Sequence, residues 1–318
     1  MELMHDLLLQ GWQMVLVVLI APWITGVVRK TKARMLRKQG PSVLQPYRDL
    51  RRLLSKETLL AENASWLFRV APYLIVSATW VAATLVPTFA TGLPFSWVAD
   101  LLAIVAILAT ARFFLALAGM DVGTSFGGIG SSREMMIASL AEPAMLFIVF
   151  TMAILAGTTR LSTIASVMAS GTMGIRVSIG LSLFAMLIVA LAENARIPVD
   201  NPATHLELTM VHEAMVLEYT GRHLAMIEIA ASIKLVLFLS LISCLFFPLG
   251  MAQREDGWLA MGIGLVAYLL KINALACLLA IGESVMAKMR VFRVAELLSI
   301  AMLFGVLAVF LLFLSRGM

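Results

Sequence analysis

Apolar residues run in eight long, nearly uninterrupted stretches, near residues 5–28, 69–90, 97–119, 135–157, 174–195, 224–250, 257–283 and 294–315. A helix needs about 20 mostly apolar residues to cross the hydrocarbon core of a bilayer, and each stretch approaches or exceeds that length. None alternates apolar and polar positions as the strands of a membrane barrel do. The pattern therefore predicts an all-α integral membrane protein of eight transmembrane helices, forming a single membrane domain over 1–318. The first connection follows a different pattern. In "PSVLQPYRDLRRLLSKE", Val43, Leu44, Tyr47, Leu50, Leu53 and Leu54 recur at helical spacing, while Arg48, Arg51, Arg52 and Lys56 take much of the remainder. Such a segment is expected to lie as an amphipathic helix in the membrane interface. It suits an anchor for anionic lipid or a lateral gate at the membrane surface.

Composition agrees with the pattern. The chain is 61% hydrophobic and 14% charged, whereas soluble domains carry roughly 25% charged residues. Its net charge of +5 does not imply a nucleic-acid partner, because ten of the 24 basic residues sit in the first connection alone. The odd-numbered connections hold seventeen Lys and Arg, against four in the even-numbered ones and the C-terminus. The positive-inside rule then puts the odd connections in the cytoplasm and both termini on the outer side. The opening "MELMHD" is acidic and precedes an apolar run too long for a signal peptide, so the first helix is expected to stay in the mature protein. Two cysteines, Cys244 and Cys277, lie inside apolar runs. They are too few for an iron–sulfur cluster or a disulfide framework.

Against this background the ionisable residues stand out. Arg112, Glu142, Glu228, Lys234, Lys271 and Glu283 fall inside predicted spans, and Glu193 closes the fifth. A charge in mid-bilayer costs at least roughly 2.5–3.5 kcal/mol, so each is a functional candidate. Acids and bases on different spans can pair across the bundle, either as fixed struts or as a proton path. The segment "AENARIPVDNPATHLELTMVHEAMVLEY" (192–219) adds Arg196, Asp200, Glu207, Glu213 and Glu218. Pro198 and Pro202 break the chain, and Thr204 with Glu207 fits a capping box, so a helix is expected to begin near 202–204. Eleven residues separate Glu207 from Glu218, which would put both carboxylates on one helical face. Glu213 points elsewhere. Carboxylates gathered in poor dielectric exchange protons near neutral pH, which suits a path leading into the membrane.

Other chemistry finds little support. "HEAMV" lacks the second histidine of a zinc-protease helix, so no metal site is expected. "GTSFGGIGSSRE" (123–134) is rich in glycine but has no phosphate-binding lysine, and reads as a flexible cytoplasmic turn.

Several stretches together resemble a known family. "ENARIPVDNPATHLEL…LEYTG" resembles the E-N-x-R-x-P-x-D and later E-Y-S-G pattern of subunit 1 of respiratory complex I, its quinone-site membrane subunit. "QGPSVLQPYRDLRRLLSKE" followed by "FRVAPY" is similar to its amphipathic first loop and second span. "SSREMMIASLAEPAMLF" and "GESVMAKMRVFRVAELL" look closer to the counterpart in group 4 energy-converting nickel–iron hydrogenases, of the hydrogenase-4 and formate hydrogenlyase type. The resemblance covers essentially the whole chain.

The resemblance implies a non-catalytic subunit that binds no redox centre. It would anchor a peripheral electron-transfer arm and pass the effect of electron transfer into proton or sodium translocation. Implied partners are iron–sulfur subunits with 4Fe–4S clusters, a hydrogenase-like large subunit that carries nickel and iron in some members, antiporter-like membrane subunits, and lipid of a prokaryotic plasma membrane. Glu193, Arg196, Asp200 and Glu218 match family positions, and Glu142 matches the fourth-span acid. Glu207 matches across a longer spacing, and Glu213 has no counterpart in the complex I pattern. Tyr47, Arg48, Arg51 and Arg52 would border a quinone entrance, if a quinone is used. Two alternatives stay open at this point: a quinone-binding subunit of a dehydrogenase without hydrogenase activity, and a stand-alone secondary transporter. No internal repeat supports the transporter.

Overall fold

The computed structural model describes residues 2–170, 176–200, 210–253, 257–287, 289 and 291–316. Among the described residues, seven helices are long and apolar enough to cross a membrane. They are α1 (Glu2–Met35), α3 (Trp66–Leu85), α4 (Leu101–Asp121), α5 (Ser125–Ala156), α9 (Gly221–Phe246), α10 (Trp258–Val285) and α11 (Val291–Arg316). An eighth apolar helix, α7 (Val177–Glu193), has 17 residues, the lower limit for a spanning helix. The chain is thus an all-α integral membrane protein, and these eight helices follow the order of the eight apolar stretches. The bundle is centred on α9, whose apolar window is 78% buried against 28% for α10 and α11. Around it α1, α3 and α7 pack directly, while α4 and α5 pair with each other and α11 lies against α5 and α7.

The amphipathic segment forms α2 (Gln45–Leu54), seated against α1 and α9. Its approach is made possible by Gly26 of α1, where a Cβ would collide with the carbonyl oxygen of Val43. Tyr47 donates its hydroxyl hydrogen to the carbonyl of Leu19, and burial raises the pKa of that hydroxyl. Arg48, Arg51 and Arg52 are exposed.

Two sequence expectations need correction. The glycine-rich stretch 123–134 is not a flexible turn. Only Gly123, at φ +74°, makes the turn, and Thr124 caps α5 by accepting from the Gly127 amide at 3.3 Å. Gly127 and Gly130 serve close packing: a Cβ on Gly127 would strike the Gly119 carbonyl of α4, and one on Gly130 would come within 2.9 Å of Ala214, whereas one on Gly128 would meet nothing within 4 Å. Glycine here is read by what presses on it rather than by its freedom. As a result α5 has 32 residues, about 48 Å at 1.5 Å per residue, and extends well beyond a bilayer core.

The second correction concerns the helix expected from 202–204 to Glu218. Its start lies outside the described residues, as does Glu207. Downstream, only α8 (His212–Val216) is helical, and Glu218 sits exposed in the turn beyond it. The chain stops winding because Tyr219 and Thr220 are recruited by another segment, described below.

Three small elements were not expected. A short helix, α6 (Leu161–Ala169), precedes α7. A parallel pair, β1 (Ala90–Thr91) and β2 (Ala252–Gln253), ties the connection after α3 to the one after α9. Asp100, which caps α4 through the Leu102 amide at 2.8 Å, also faces Arg160 in an antiparallel backbone bridge.

Candidate functional site

Arg112 lies in the second half of α4 with its side chain 3% exposed. An isolated guanidinium there would be prohibitively costly to desolvate. Three carboxylates surround it. Glu134 of α5 lies 3.4 Å from Nε, Glu142 of α5 lies 3.5 Å from Nη1, and Glu193 at the end of α7 pairs with Nη2. The other oxygen of Glu193 is 3.2 Å from Nζ of Lys234 on α9. Four helices therefore meet at one ionic centre in which three carboxylates face two cations. The contact with Glu134 is charge proximity without hydrogen-bond alignment, since Nε has no hydrogen-bond partner in the structure. Because arginine does not release its proton in proteins, any change of protonation in this cluster falls on the glutamates or on Lys234.

A second cluster lies near the same end of the bundle. Glu283 of α10, its side chain only 2% exposed, is held by Lys32 of α1 at 3.1 Å and by Arg196, just after α7, at 3.5 Å. Burial lowers the pKa of the Arg196 guanidinium and Glu283 opposes that shift, so the carboxylate has two committed cations. Arg29, three residues before Lys32 on α1, reaches Asp49 of α2 at 4.0 Å, and Arg52 reaches the same carboxylate at 3.7 Å. Only Asn194 and Ala195 separate Glu193 of the first cluster from Arg196 of the second. A short piece of backbone thus joins the interior ions to the interfacial helix.

Between them, Asp200 and residues 210–221 act largely as a clasp. Buried Asp200 accepts from the amides of Val211 at 3.3 Å and His212 at 3.2 Å, opening α8. Arg133 donates to the Met210 carbonyl at 2.8 Å. Farther on, Tyr219 stacks on Phe68 with ring centroids 3.9 Å apart and donates to the Phe68 carbonyl at 3.0 Å. Burial, reinforced by Asp121, raises the pKa of its hydroxyl, which keeps it a donor. Thr220 bonds both the amide and the carbonyl of Leu59. Gly221, at φ +53°, leaves no room for a Cβ against the Glu57 carbonyl. The Tyr-Thr-Gly of the "LEYTG" motif therefore pins the chain between α2 and α3.

The structure brings Arg112, Glu142, Glu193 and Lys234 together, and Arg196 with Glu283. It separates Lys271 from both groups: its ammonium donates to the carbonyls of Phe247 at 3.2 Å and Leu249 at 2.9 Å, closing the C-terminal end of α9. Glu228 is half-buried on α9 and forms no ion pair with another described residue. Glu213 is half-buried on α8. Four ionic partners escaped sequence reasoning, Arg29 beside Lys32 on α1 among them. Glu134 and Lys32 lie in segments read as loops, and Asp49 was overlooked among four basic neighbours. In each case a helix longer than its apolar core, or the opposite charge in a basic run, was the available signal.

The bundle and its two ion clusters define a polytopic helical membrane protein with a charged interior. The NADH dehydrogenase family model, which describes complex I subunit 1-like proteins, matches residues 10–314, and the chain belongs to that family. It is 33% identical over 278 residues to hydrogenase-4 component C of Escherichia coli (strain K12), covering 87% of each chain. It is 30% identical over 271 residues to formate hydrogenlyase subunit 4 of the same organism, covering 85% of this chain and 87% of that one. In fold it is similar to a chain of the membrane-bound sulfane sulfur reductase, an archaeal respiratory membrane complex. That match has a TM-score of 0.77 at 18% identity and covers 96% of this chain and 99% of the other.

Proposed function

We propose that this chain is the membrane-anchoring and coupling subunit of a complex I-like oxidoreductase of the hydrogenase-4 or formate hydrogenlyase type. It links electron transfer in a peripheral arm to translocation of protons or sodium ions. The carrying observation is buried Arg112 shared by Glu134, Glu142 and Glu193, with Lys234 on the far side of Glu193. Such a centre has several charge arrangements of similar geometry, and a change at Arg196 and Glu283 reaches it through two residues of backbone. An electron event near the surface helix α2 would repartition the ions at Glu283, and the interior cluster would take up or release a proton in response.

The chain holds no redox centre in this reading. Two cysteines cannot supply the four thiolates of a 4Fe–4S cluster, so the clusters, and nickel where present, belong to the iron–sulfur and large subunits. Antiporter-like subunits would continue the ion path in the membrane. The cytoplasmic side is the one carrying α2, with both termini outside, in a prokaryotic plasma membrane. A quinone is a possible substrate beside Tyr47 on α2 rather than a required one.

Mass spectrometry of the complex purified in mild detergent tests this reading. Iron–sulfur, hydrogenase-like and antiporter-like subunits are expected to accompany the chain. Nickel-binding cysteines in the large subunit would mark hydrogen chemistry, and their absence would favour the quinone-linked version. Recovery of the chain alone, under conditions that keep related complexes whole, would contradict the proposal and revive the transporter.

A further inference from the structure

At the end of the bundle remote from α2, the last turn of α3 is closed by side chains of another helix. Gln10 and Gln13 of α1, each 2% exposed, donate from Nε2 to backbone carbonyls. Gln10 reaches Thr84 at 3.4 Å, and Gln13 reaches Thr84 at 3.2 Å and Val86 at 2.8 Å. The last carbonyls of a helix find no donor within it, so these amides take that place. The same contacts fix which way the Gln13 amide points. Turned over, its oxygen would face two carbonyl oxygens, acceptor against acceptor. Both Nε2 hydrogens of Gln13 are therefore committed, and Oε1 is directed away from the two carbonyls. That oxygen is buried and has no hydrogen-bond partner in the protein, although a buried acceptor without a donor is costly.

A small cavity of about 10 Å³ lies here, and its walls include Gln10, Gln13, Leu85, Leu93 and Ser96. That volume is about one water-sized sphere. We propose that the cavity holds a single water molecule as a resident ligand, which donates to Gln13 Oε1 and fastens α1 to the connection between β1 and α4. A buried water needs two or more polar partners, and the wall supplies them. Gln10 Nε2 has a second hydrogen beyond the one given to Thr84, and Ser96 adds a third polar residue. The site thus offers a donor as well as an acceptor. Water uses both, whereas a metal cation can use only the oxygens and is repelled by an amide hydrogen. An apolar guest would leave Oε1 unpaired. The proposal is independent of which subunits accompany the chain.

The test is hydroxyl-radical labelling by X-ray radiolysis of the purified full-length protein, with whatever subunits accompany it, read by mass spectrometry. Radicals born from a bound water oxidise the buried side chains beside it. Leu85 and Leu93, 9% and 5% exposed, are expected to be oxidised, while Leu108 of α4, 7% exposed and outside the cavity wall, stays unmodified. In Gln13→Met the labelling of Leu85 and Leu93 is expected to be lost, with exposed Trp97 labelled as before. Gln10→Met, which leaves the Gln13 oxygen in place, should weaken that labelling without abolishing it. A wild-type protein in which Leu85 and Leu93 are as silent as Leu108 would overturn the proposal without recourse to either variant. So would labelling that persists undiminished in a folded Gln13→Met protein, because that water would not be held by Gln13. Loss of wild-type labelling when sodium replaces choline in the buffer would identify a cation as the occupant and overturn it as well.

Discussion

The two buried ion clusters are built from the same side chains to opposite balances. Around Arg112, three carboxylates compete for one guanidinium, and Lys234 attends only Glu193. Around Glu283, one carboxylate is held by two cations, Lys32 and Arg196. The second cluster is a fastening, since every arrangement leaves its carboxylate satisfied. The first carries an excess of acid, since three carboxylates, each at a different nitrogen of Arg112, share that guanidinium and one lysine. Burial is common to both clusters; the ratio of acids to bases is what differs between them.

Breaking the first cluster should have the largest effect. Arg112→Met leaves three carboxylates, two of them buried, with one lysine, and removal of a partner from a buried pair costs about 3–5 kcal/mol. The expected outcome is a sharp fall in the chain recovered in membranes, measured by immunoblot against the wild type. Glu283→Gln should cost less, about 1–3 kcal/mol, because Lys32 is 26% exposed and can turn to water. A lowered melting midpoint of the purified complex would register it. Lys271→Met removes two hydrogen bonds at the end of α9 and is expected to lower the same midpoint by about 1 kcal/mol equivalent, with ion transport per electron unchanged. Glu218→Gln, on an exposed side chain, should stay within about 0.5 kcal/mol of wild type in that assay.

Much of this architecture was legible in the sequence, because bilayer thickness sets a minimum apolar length for every spanning helix. All eight spans were found, and so was α2, whose arginine and leucine positions separate cleanly around a helix. The intramembrane residues Arg112, Glu142, Glu193 and Lys234 were picked out by cost alone, and they meet. The failures have a common cause. Hydropathy reports where lipid is, and says nothing of helix that continues past it. Glu134 and Lys32 lie on such extensions, so two members of the clusters were taken for loop residues. The glycines at 127 and 130 misled for a related reason: their signature is the same for a turn as for a helix pressed against α4 and α8. Lys271 was miscast because an intramembrane lysine and a lysine capping a helix end look alike until the end is located. The Glu218 position shows how a motif can be structural in its parts, with Tyr219, Thr220 and Gly221 holding the chain while the acid beside them faces outward.

The central claim is that the Arg112 cluster, besides holding four helices together, carries the proposed coupling. Its most direct test is Glu193→Gln in the intact complex, reconstituted in vesicles, with electron transfer and ion movement recorded together. Glu193 bridges Arg112 and Lys234, and glutamine keeps its shape while removing its charge. The account predicts an assembled complex that still transfers electrons but moves few or no ions per electron. Wild-type ion movement per electron in that variant would contradict it.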